Sequence, residues 1–491
     1  MPIEYERFVF PGYDAGIVRP TSIGRDAINK INEFARSVRK SYNVEYHSRL
    51  GHAAVRRGSD KIHSDVSVGN SPLGIGSIET ASLSRPVAVY EEAGNASFYY
   101  DDGSSWQTCS GFPVKNSTAR FAQLGGRLYV TTGAYMHSST DGITFTSDQD
   151  EGNLKNRKIT HLAVFTAQML AIDSGANPDR MYISSVVDLN ATPILTWDPS
   201  TDYIDINPDD GGRITGFSNA GQKKLIFKDN GLYIYDVAER AVTPNNLFTV
   251  GAYSQEAITE CRGRTYFLSP GRELYSTNGS YPEDIGRPVQ DILDTIPNLD
   301  KVTFATDQRI IYMYLGEISI DEITIPAAVL LYSVRDESFA LYSYPDASET
   351  YTDMILHKSA YYGLMGATTD NVYNLETNSA TDAGGEPINY LLDSQEQDFD
   401  TPEDWKTVKE FHVLTANGLG GTVELYADTG QTRPGYSVIQ INNRVEQQRH
   451  VNIKGNYISY RWQGIKQNIS PVLEQVITHI APISAPYDSQ T

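Results

Sequence analysis

Five carboxylates crowd one stretch of the chain, Asp198, Asp202, Asp205, Asp209 and Asp210 in DPSTDYIDINPDDG, and oxygen ligands at that density can hold Ca²⁺. The alternating acids, mid-loop glycine and distant Glu of an EF-hand are missing, so an exposed, solvated loop is the favoured reading. GFSNAGQKK (Gly216 to Lys224) imitates a phosphate-binding loop, but its Lys stands one place late and no Ser or Thr follows. The next residues, LIF, read as a strand, whereas phosphate capture needs a helix whose N-terminal amides meet the anion. His47, His52 and His63 show no paired-ligand spacing, and there is no G-x-S-x-G elbow. Cys109 and Cys261 match neither a zinc ligand pair nor a disulfide framework, which fits a reducing cytoplasm. The expectation is a protein with no catalytic residue, no cofactor and no metal centre, and so not an enzyme.

A second cluster could bind rather than react. Between Arg25 and Lys61 nine basic residues stand against four acidic ones, a local charge of +5 in a chain of net charge -21, which leaves -26 for the rest. That acidic balance excludes a general nucleic-acid-coating role, since polyanions need a basic footprint. Contact with nucleic-acid phosphates and a plain solvated helix face are alternatives, but the amphipathic pattern and the overall negative charge favour Arg36, Arg39, Lys40, Arg56 and Arg57 at a protein interface, against acidic surfaces of a neighbouring subunit or another protein. Ile28, Ile31, Ala35, Val38 and Tyr42 recur at three- and four-residue steps and predict an amphipathic helix over about 25–42.

The elements that carry these residues are mostly strands. Short apolar or Tyr-containing runs begin near Val87, Leu128, Met169, Leu225, Thr265, Ile310 and Ala360, at intervals of 41, 41, 56, 40, 45 and 50 residues. Strand-rich repeats of that period predict propeller blades, six or seven of them. Tyr, at 32 copies against 16 Phe, suits strands that bury a ring and keep a hydroxyl wet. Hairpin turns are legible in YYDDGSSW, SSTDGITF, KDNGLYIY and STNGSY, where Asp-Gly and Asn-Gly supply positive φ, and in LLYSVRDESFALYSYP. The expected organisation is an N-terminal region over 1–82 with one helix and a Gly/Ser-rich linker (66–82), a β-propeller over 83–385, and a C-terminal β-sandwich over 386–491. Residues 188–212 are expected as a surface excursion inserted in a blade. EFHVLT, GTVELYA, YSVIQI, RHVNIKG, NYISYRW and EQVITHIAPI read as the strands of the sandwich. No signal-peptide layout opens the chain, and the longest strongly apolar run, Ile325 to Tyr332, is too short to span a bilayer, so no membrane anchor is expected.

The first two turns resemble the Asp-box hairpin, S-x-D-x-G-x-T-W, of sialidases and other propellers. Asp101, Gly103, Ser105 and Trp106 fit one copy, with Tyr99 in place of Ser; Ser138, Gly142, Thr144 and Phe145 fit the other, with Thr140 in place of Asp. The R-I-P arginine motif of sialidases does not occur, so the boxes are expected to turn strands, not to cleave glycans.

The layout as a whole, with RTYFLSPGRELYSTNGSYPEDIGRPVQDIL (Arg264 to Leu293) and DRMYISSVVDLNATPILTW (Asp179 to Trp197), resembles the tail-nozzle or tail-hub proteins of short-tailed bacteriophages, also called packaged-DNA stabilisation proteins. The resemblance implies a structural virion protein, assembled in the host bacterial cytoplasm as a homohexameric ring. Its implied neighbours are the tail adaptor and portal-proximal proteins, with tail fibre or needle proteins as further partners. Such a ring extends the DNA channel, retains packaged genome, and lets DNA pass at ejection without sequence-specific binding. The alternatives are a propeller-type receptor-binding or glycan-cleaving phage protein and a cellular propeller scaffold.

Overall fold

The structure is a computed structural model that describes residues 6–9, 38–47, 52–63, 65–66, 70–110, 118–147, 154, 157–173, 177–189, 195–208, 210–221, 223–236, 241–244, 248–320, 323–344, 353–357, 363–367, 370–377, 379, 381–382, 385–397, 406–416, 421–428, 436–440, 446–466 and 471–482. Seven four-stranded antiparallel sheets follow one another along the chain. Their first strands, Pro72–Glu79, Arg120–Leu124, Ile159–Phe165, Ile214–Ala220, Ile258–Cys261, Thr303–Thr306 and Asp353–His357, each touch the next, and the last touches the first. That closed ring of inner strands defines a seven-bladed β-propeller. Six of the seven repeat starts, from Val87 to Ile310, fall on the second strand of a blade; Ala360 lies outside the described residues.

The ring is closed by the other end of the chain. Gly58–Lys61 is the outermost strand of blade 7, pairing with Val372–Thr377 through Tyr373 opposite Lys61 and Asn374 opposite Asp60. The seam is sealed by a core of Ile62, Ile75, Ala88, Tyr90, Trp106 and Val372, with Tyr90 Oη donating to Asn371 O at 2.7 Å and Trp106 Nε1 to Ile62 O at 3.0 Å. Each large apolar side chain buried there is worth about 1.5–3 kcal/mol of transfer free energy, which helps hold the ring closed.

Two expected features of the N-terminal region are corrected here. The linker over 66–82 contains Pro72–Glu79, the inner strand of blade 1. Its glycines belong to the strand because the inner ring is crowded: a Cβ on Gly76 would stand 2.4 Å from the Phe121 ring. The helix over 25–42 does not reach its end as a helix, since Val38–Tyr42 is a strand paired with Asn389–Ser394; residues 25–37 lie outside the described set. Val38 and Tyr42 satisfy a strand's period as well as a helix's, and an available sheet edge decides between them. The expected propeller limits of 83–385 likewise leave out the strands at 58–61 and 72–79.

The excursion at 188–212 supplies Tyr203–Asp205, the outer strand of blade 3, and so is partly blade. All six C-terminal runs are strands. They do not stand alone, because the N-terminal strands complete both of their sheets. One sheet runs Val44–His47, His52–Val55, Val472–Pro482, Lys406–Ala416, Glu446–Gly455, with Glu6–Val9 also paired to Val472–Pro482; the other runs Val38–Tyr42, Asn389–Ser394, Tyr457–Ile465, Thr422–Asp428, Tyr436–Gln440.

Both sheets share a single core with blades 5 and 6, in which Phe411, Leu473, Trp462 and Leu425 join Leu268, Met313 and Leu330. The long hairpin of blade 6, Ile310–Ile320 and Ile323–Ser333, brings Ile318 and Ile325 into that core beside Ile292 and Leu293 of the short helix Gln290–Asp294. Among the described residues no helix is long and apolar enough to cross a membrane.

Candidate functional site

The segments that lead into the inner strands of blades 2 to 6 converge on one mouth of the propeller axis. They enclose a cavity of about 600 Å³ whose lining includes Arg120, His161, Arg213, Tyr253, Glu256 and Asp300. A second cavity of about 340 Å³ continues along the inner strands and shares Arg120 and Glu256 with the first. Arg120 Nε donates to Glu256 Oε1 at 2.7 Å, and Arg120 Nη1 to Thr160 O at 2.9 Å. Because Arg120 opens blade 2 and Glu256 precedes blade 5, this ion pair bridges the axis and obstructs it. Each partner keeps only 16% of its side chain exposed.

The electrostatics follow from that confinement. Burial alone would push the Glu256 carboxyl up, yet the charge and hydrogen bond of Arg120 hold it below its ordinary value. Burial, followed by the positive charges of Arg120 and Arg213, drives His161 well below the usual imidazole range, so the ring is neutral at pH 7. Tyr253 Oη donates to Asp300 Oδ1 at 2.6 Å, and that bond, with burial, raises the phenol. Arg213, Lys301 and Asp300 are exposed at the rim, so the mouth offers cationic, anionic and neutral hydrogen-bonding groups side by side. Chemically it can hold a small polar or anionic group; it is too small and too obstructed for a nucleic-acid duplex.

The five expected interface residues separate in space. Arg36 lies outside the described residues. Arg39 is half-buried and faces Asp393 at 3.5 Å and Glu396 at 3.6 Å within the same chain. Lys40 lies beside a small apolar cavity that Ile292, Ile320 and Leu341 also line, and Arg57 is exposed. Arg56 is corrected outright: it is fully buried, and its guanidinium grips both oxygens of buried Asp382, with Nη1 to Oδ1 at 2.8 Å. It also donates to Asn43 Oδ1 at 2.8 Å and Ser343 O at 2.6 Å and stacks on Tyr344 at 4.4 Å. Arg56 therefore joins the N-terminal hairpin, blade 6 and the 382 loop from within, a role for which a planar five-donor group suits better than Lys.

Of the five acidic-loop carboxylates, Asp209 lies outside the described residues and the other four accept hydrogen bonds from the protein, Asp202 from Asp198 N at 2.9 Å. Asp205 takes a two-pronged bond from Arg180 at 2.7 and 2.9 Å, Asp210 accepts from buried Lys228, and Asp198 accepts from Ser200 N at 2.9 Å. The phosphate-loop imitation forms the blade 4 hairpin Ile214–Ala220 and Lys223–Lys228, as its strand reading implies. His63 Nε2 meets Asp101 Oδ1 at 3.0 Å, while His47 and His52 are partners in register across a hairpin.

Both Asp-box-like turns are structural in their contacts. The residue just before each glycine does most of the turning: Asp102 Oδ1 accepts from Ser104 N and Ser105 N at 2.8 Å, and Asp141 Oδ1 from Ile143 N and Thr144 N at 2.8 Å. Sequence reasoning passed over the mouth residues altogether. The signal that could have found them is their phase in the repeat: Arg120, His161, Arg213, Glu256 and Asp300 all lie within three residues of the start of an inner strand.

The fold is that of a seven-bladed β-propeller carrying a two-sheet unit made from both chain ends. No known protein family matches the chain, nor does any curated protein sequence. Among solved structures, the extracellular domain of a one-component system from B. thetaiotaomicron is 10% identical with a TM-score of 0.45 over 92% of this chain and 62% of its own, so this chain spans less than two-thirds of that protein. YCF48 from Cyanidioschyzon merolae is 12% identical with a TM-score of 0.37, over 64% of this chain and 98% of its own. An exo-β-1,3-galactanase from Phanerochaete chrysosporium reaches 10% identity and a TM-score of 0.26, over 77% of this chain and 99% of its own. Overlaps of this order carry no inference about activity.

Proposed function

We propose that the chain is a structural subunit of a short phage tail, a nozzle or hub whose copies form a ring that prolongs the DNA channel, retains the packaged genome and releases it at infection. The observation that carries this reading is where the charge sits. Among the described residues the buried ionic groups are five cations (Arg56, Lys224, Lys228, Lys406, Lys466) and four acids (Asp101, Asp173, Asp382, Asp393), so the surplus behind the net charge of -21 belongs to the rest of the chain. A conduit walled by carboxylates repels phosphate and avoids the Lys and Arg contacts, with their counterion release, that would hold DNA in place. The axis of a single propeller is crossed by Arg120 and Glu256, so on this reading the conduit lies between copies and not through one.

The testing experiment is electron microscopy and mass measurement of the purified chain with and without tail adaptor rings, joined to immunogold labelling of virions. Hexameric rings at the tail support the proposal. A chain that stays monomeric with adaptors and is absent from virions overturns it. The cavity at the propeller mouth supports one second reading, a receptor-binding or glycan-cleaving phage protein that holds a polar sugar between Arg213 and Asp300. Oligosaccharide binding or release that is lost in Arg213→Ala would favour that reading over the conduit.

A further inference from the structure

The strand Lys406–Ala416 carries a bulge after Val408, marked by the same register shift against both of its neighbours, Glu446–Gly455 and Val472–Pro482. Bulges re-aim side chains, and this one sets Glu410 directly opposite His450 on one side and His479 on the other. His412 lies two residues along and so shares the face of Glu410, while Phe411 and Val413 point into the core. Three imidazoles thus surround one carboxylate on three adjacent strands.

We propose that Glu410, His412 and His479, with His450 as the fourth ligand, form a binding site for a divalent first-row transition ion of the Zn²⁺ class. His412 Nε2 is 3.5 Å and His479 Nδ1 3.6 Å from Glu410 Oε2, and the ligand atoms of the three residues all lie within 4.8 Å of one another. A tetrahedral ion with bonds of about 2.0–2.1 Å requires ligand atoms roughly 3.4 Å apart, close to the two measured edges. His450 Nδ1 stands 2.7 Å from Glu410 Oε1 on a side chain that is 80% exposed, so it can swing onto the ion without disturbing the sheet. Gln448 Nε2 donates to Glu410 Oε2 at 3.0 Å, the kind of outer contact that orients a ligating carboxylate.

The His412 and His479 rings stack at 4.9 Å and 28°. Two imidazolium charges that close repel each other, whereas two neutral rings can both present lone pairs to a cation. Imidazole with carboxylate selects Zn²⁺, Ni²⁺, Cu²⁺ or Co²⁺ over Ca²⁺ and Mg²⁺, which prefer all-oxygen shells. The bound ion would clip the C-terminal strand to the middle of its sheet.

The test uses the full untagged chain, stripped with chelator and titrated with Zn²⁺ by calorimetry and with Co²⁺ by visible absorption. One equivalent of Zn²⁺, a tetrahedral Co²⁺ spectrum, and no response to Mg²⁺ are expected. His412→Ala and His479→Ala should each lower Zn²⁺ affinity by more than the roughly 10–100-fold that loss of an outer-shell partner costs, and His450→Ala by less. Zn²⁺ should raise the melting temperature of the parent chain and not that of the two variants, each compared with its own metal-free form. Failure of the parent chain to bind Zn²⁺, or binding that survives unchanged in both His412→Ala and His479→Ala, overturns the site.

Discussion

Each of the first six blades is folded from one continuous stretch, its strands pairing with their neighbours in sequence, whereas the two-sheet unit takes strands from both ends of the chain, so that Glu6 lies opposite Ile480 and Val38 opposite Ser394. Blade 7 stands between these extremes, with three local strands and one borrowed from Gly58–Lys61. The difference is one of loop closure. A hairpin orders a few residues to gain its ladder, while a pairing across several hundred residues must first overcome the entropy of closing that loop. The distant pairings are therefore the ones that need strong additional fasteners. The structure supplies them as Arg56 with Asp382, as the seam around Trp106, and as the core shared with blades 5 and 6.

The largest test of this comparison removes the fastener. Arg56→Ala leaves Asp382 buried without its partner, and breaking a buried pair in this way costs about 3–5 kcal/mol. Urea unfolding should show that loss, and hydrogen exchange should accelerate first at 38–61 and 389–394 while blades 1 to 4 keep their protection. Uniform acceleration across all blades would show that the two regions do not separate.

A smaller effect is expected inside a locally folded blade. Lys224 is buried in blade 4, and burial lowers its ammonium from 10.5 to about 7. The unfolded chain then holds more protons than the folded one between about pH 7 and 10.5, so stability rises with pH across that window. Lys224→Met should abolish that rise without altering protection of the two-sheet unit, as urea titrations at pH 7 and 9.5 would report.

The smallest effect is expected at a turn. Asp102 is held at about 2 by amide and hydroxyl hydrogen bonds from Ser104 and Ser105, against an ordinary 3.8. Its folded value is depressed, so its contribution is present above about pH 4 and fades as pH falls toward 2. Asp102→Asn should flatten that acid limb, lowering neutral-pH stability by a small amount and leaving stability below about pH 2 unchanged. A large loss at pH 7 would mean that a single exposed turn, and not the seam, governs blade 1.

The same contrast explains what could be read in advance. The runs near Val87, Leu128, Met169, Leu225, Thr265 and Ile310 mark true second strands because a blade's signal is local: a short apolar or Tyr-containing run followed within a few residues by a Gly or Asp turn. The pattern at Val38–Tyr42 serves a helix's period as well as a strand's, and the partner at 389–394 that settles it as a strand is invisible from nearby sequence. Arg56 looked like a surface charge because charge alone predicts exposure; only the meeting of Asn43, Ser343 and Asp382 makes burial affordable. The mouth residues carry no motif, since they come from five successive blades and meet only when the ring closes.

By itself, then, the sequence determined the second strands of the blades, the C-terminal strand runs, the hairpin turns and the repeat, because those depend on neighbours a few residues apart. It also determined the acidic balance, which is a sum over residues and needs no fold. Tertiary structure alone decided that seven blades close on an N-terminal strand, that Arg120 reaches Glu256 across the axis, and that Glu410 stands among His412, His450 and His479. Each of these joins residues far apart in the chain, and no local propensity encodes which distant partner a strand edge or a charge will find.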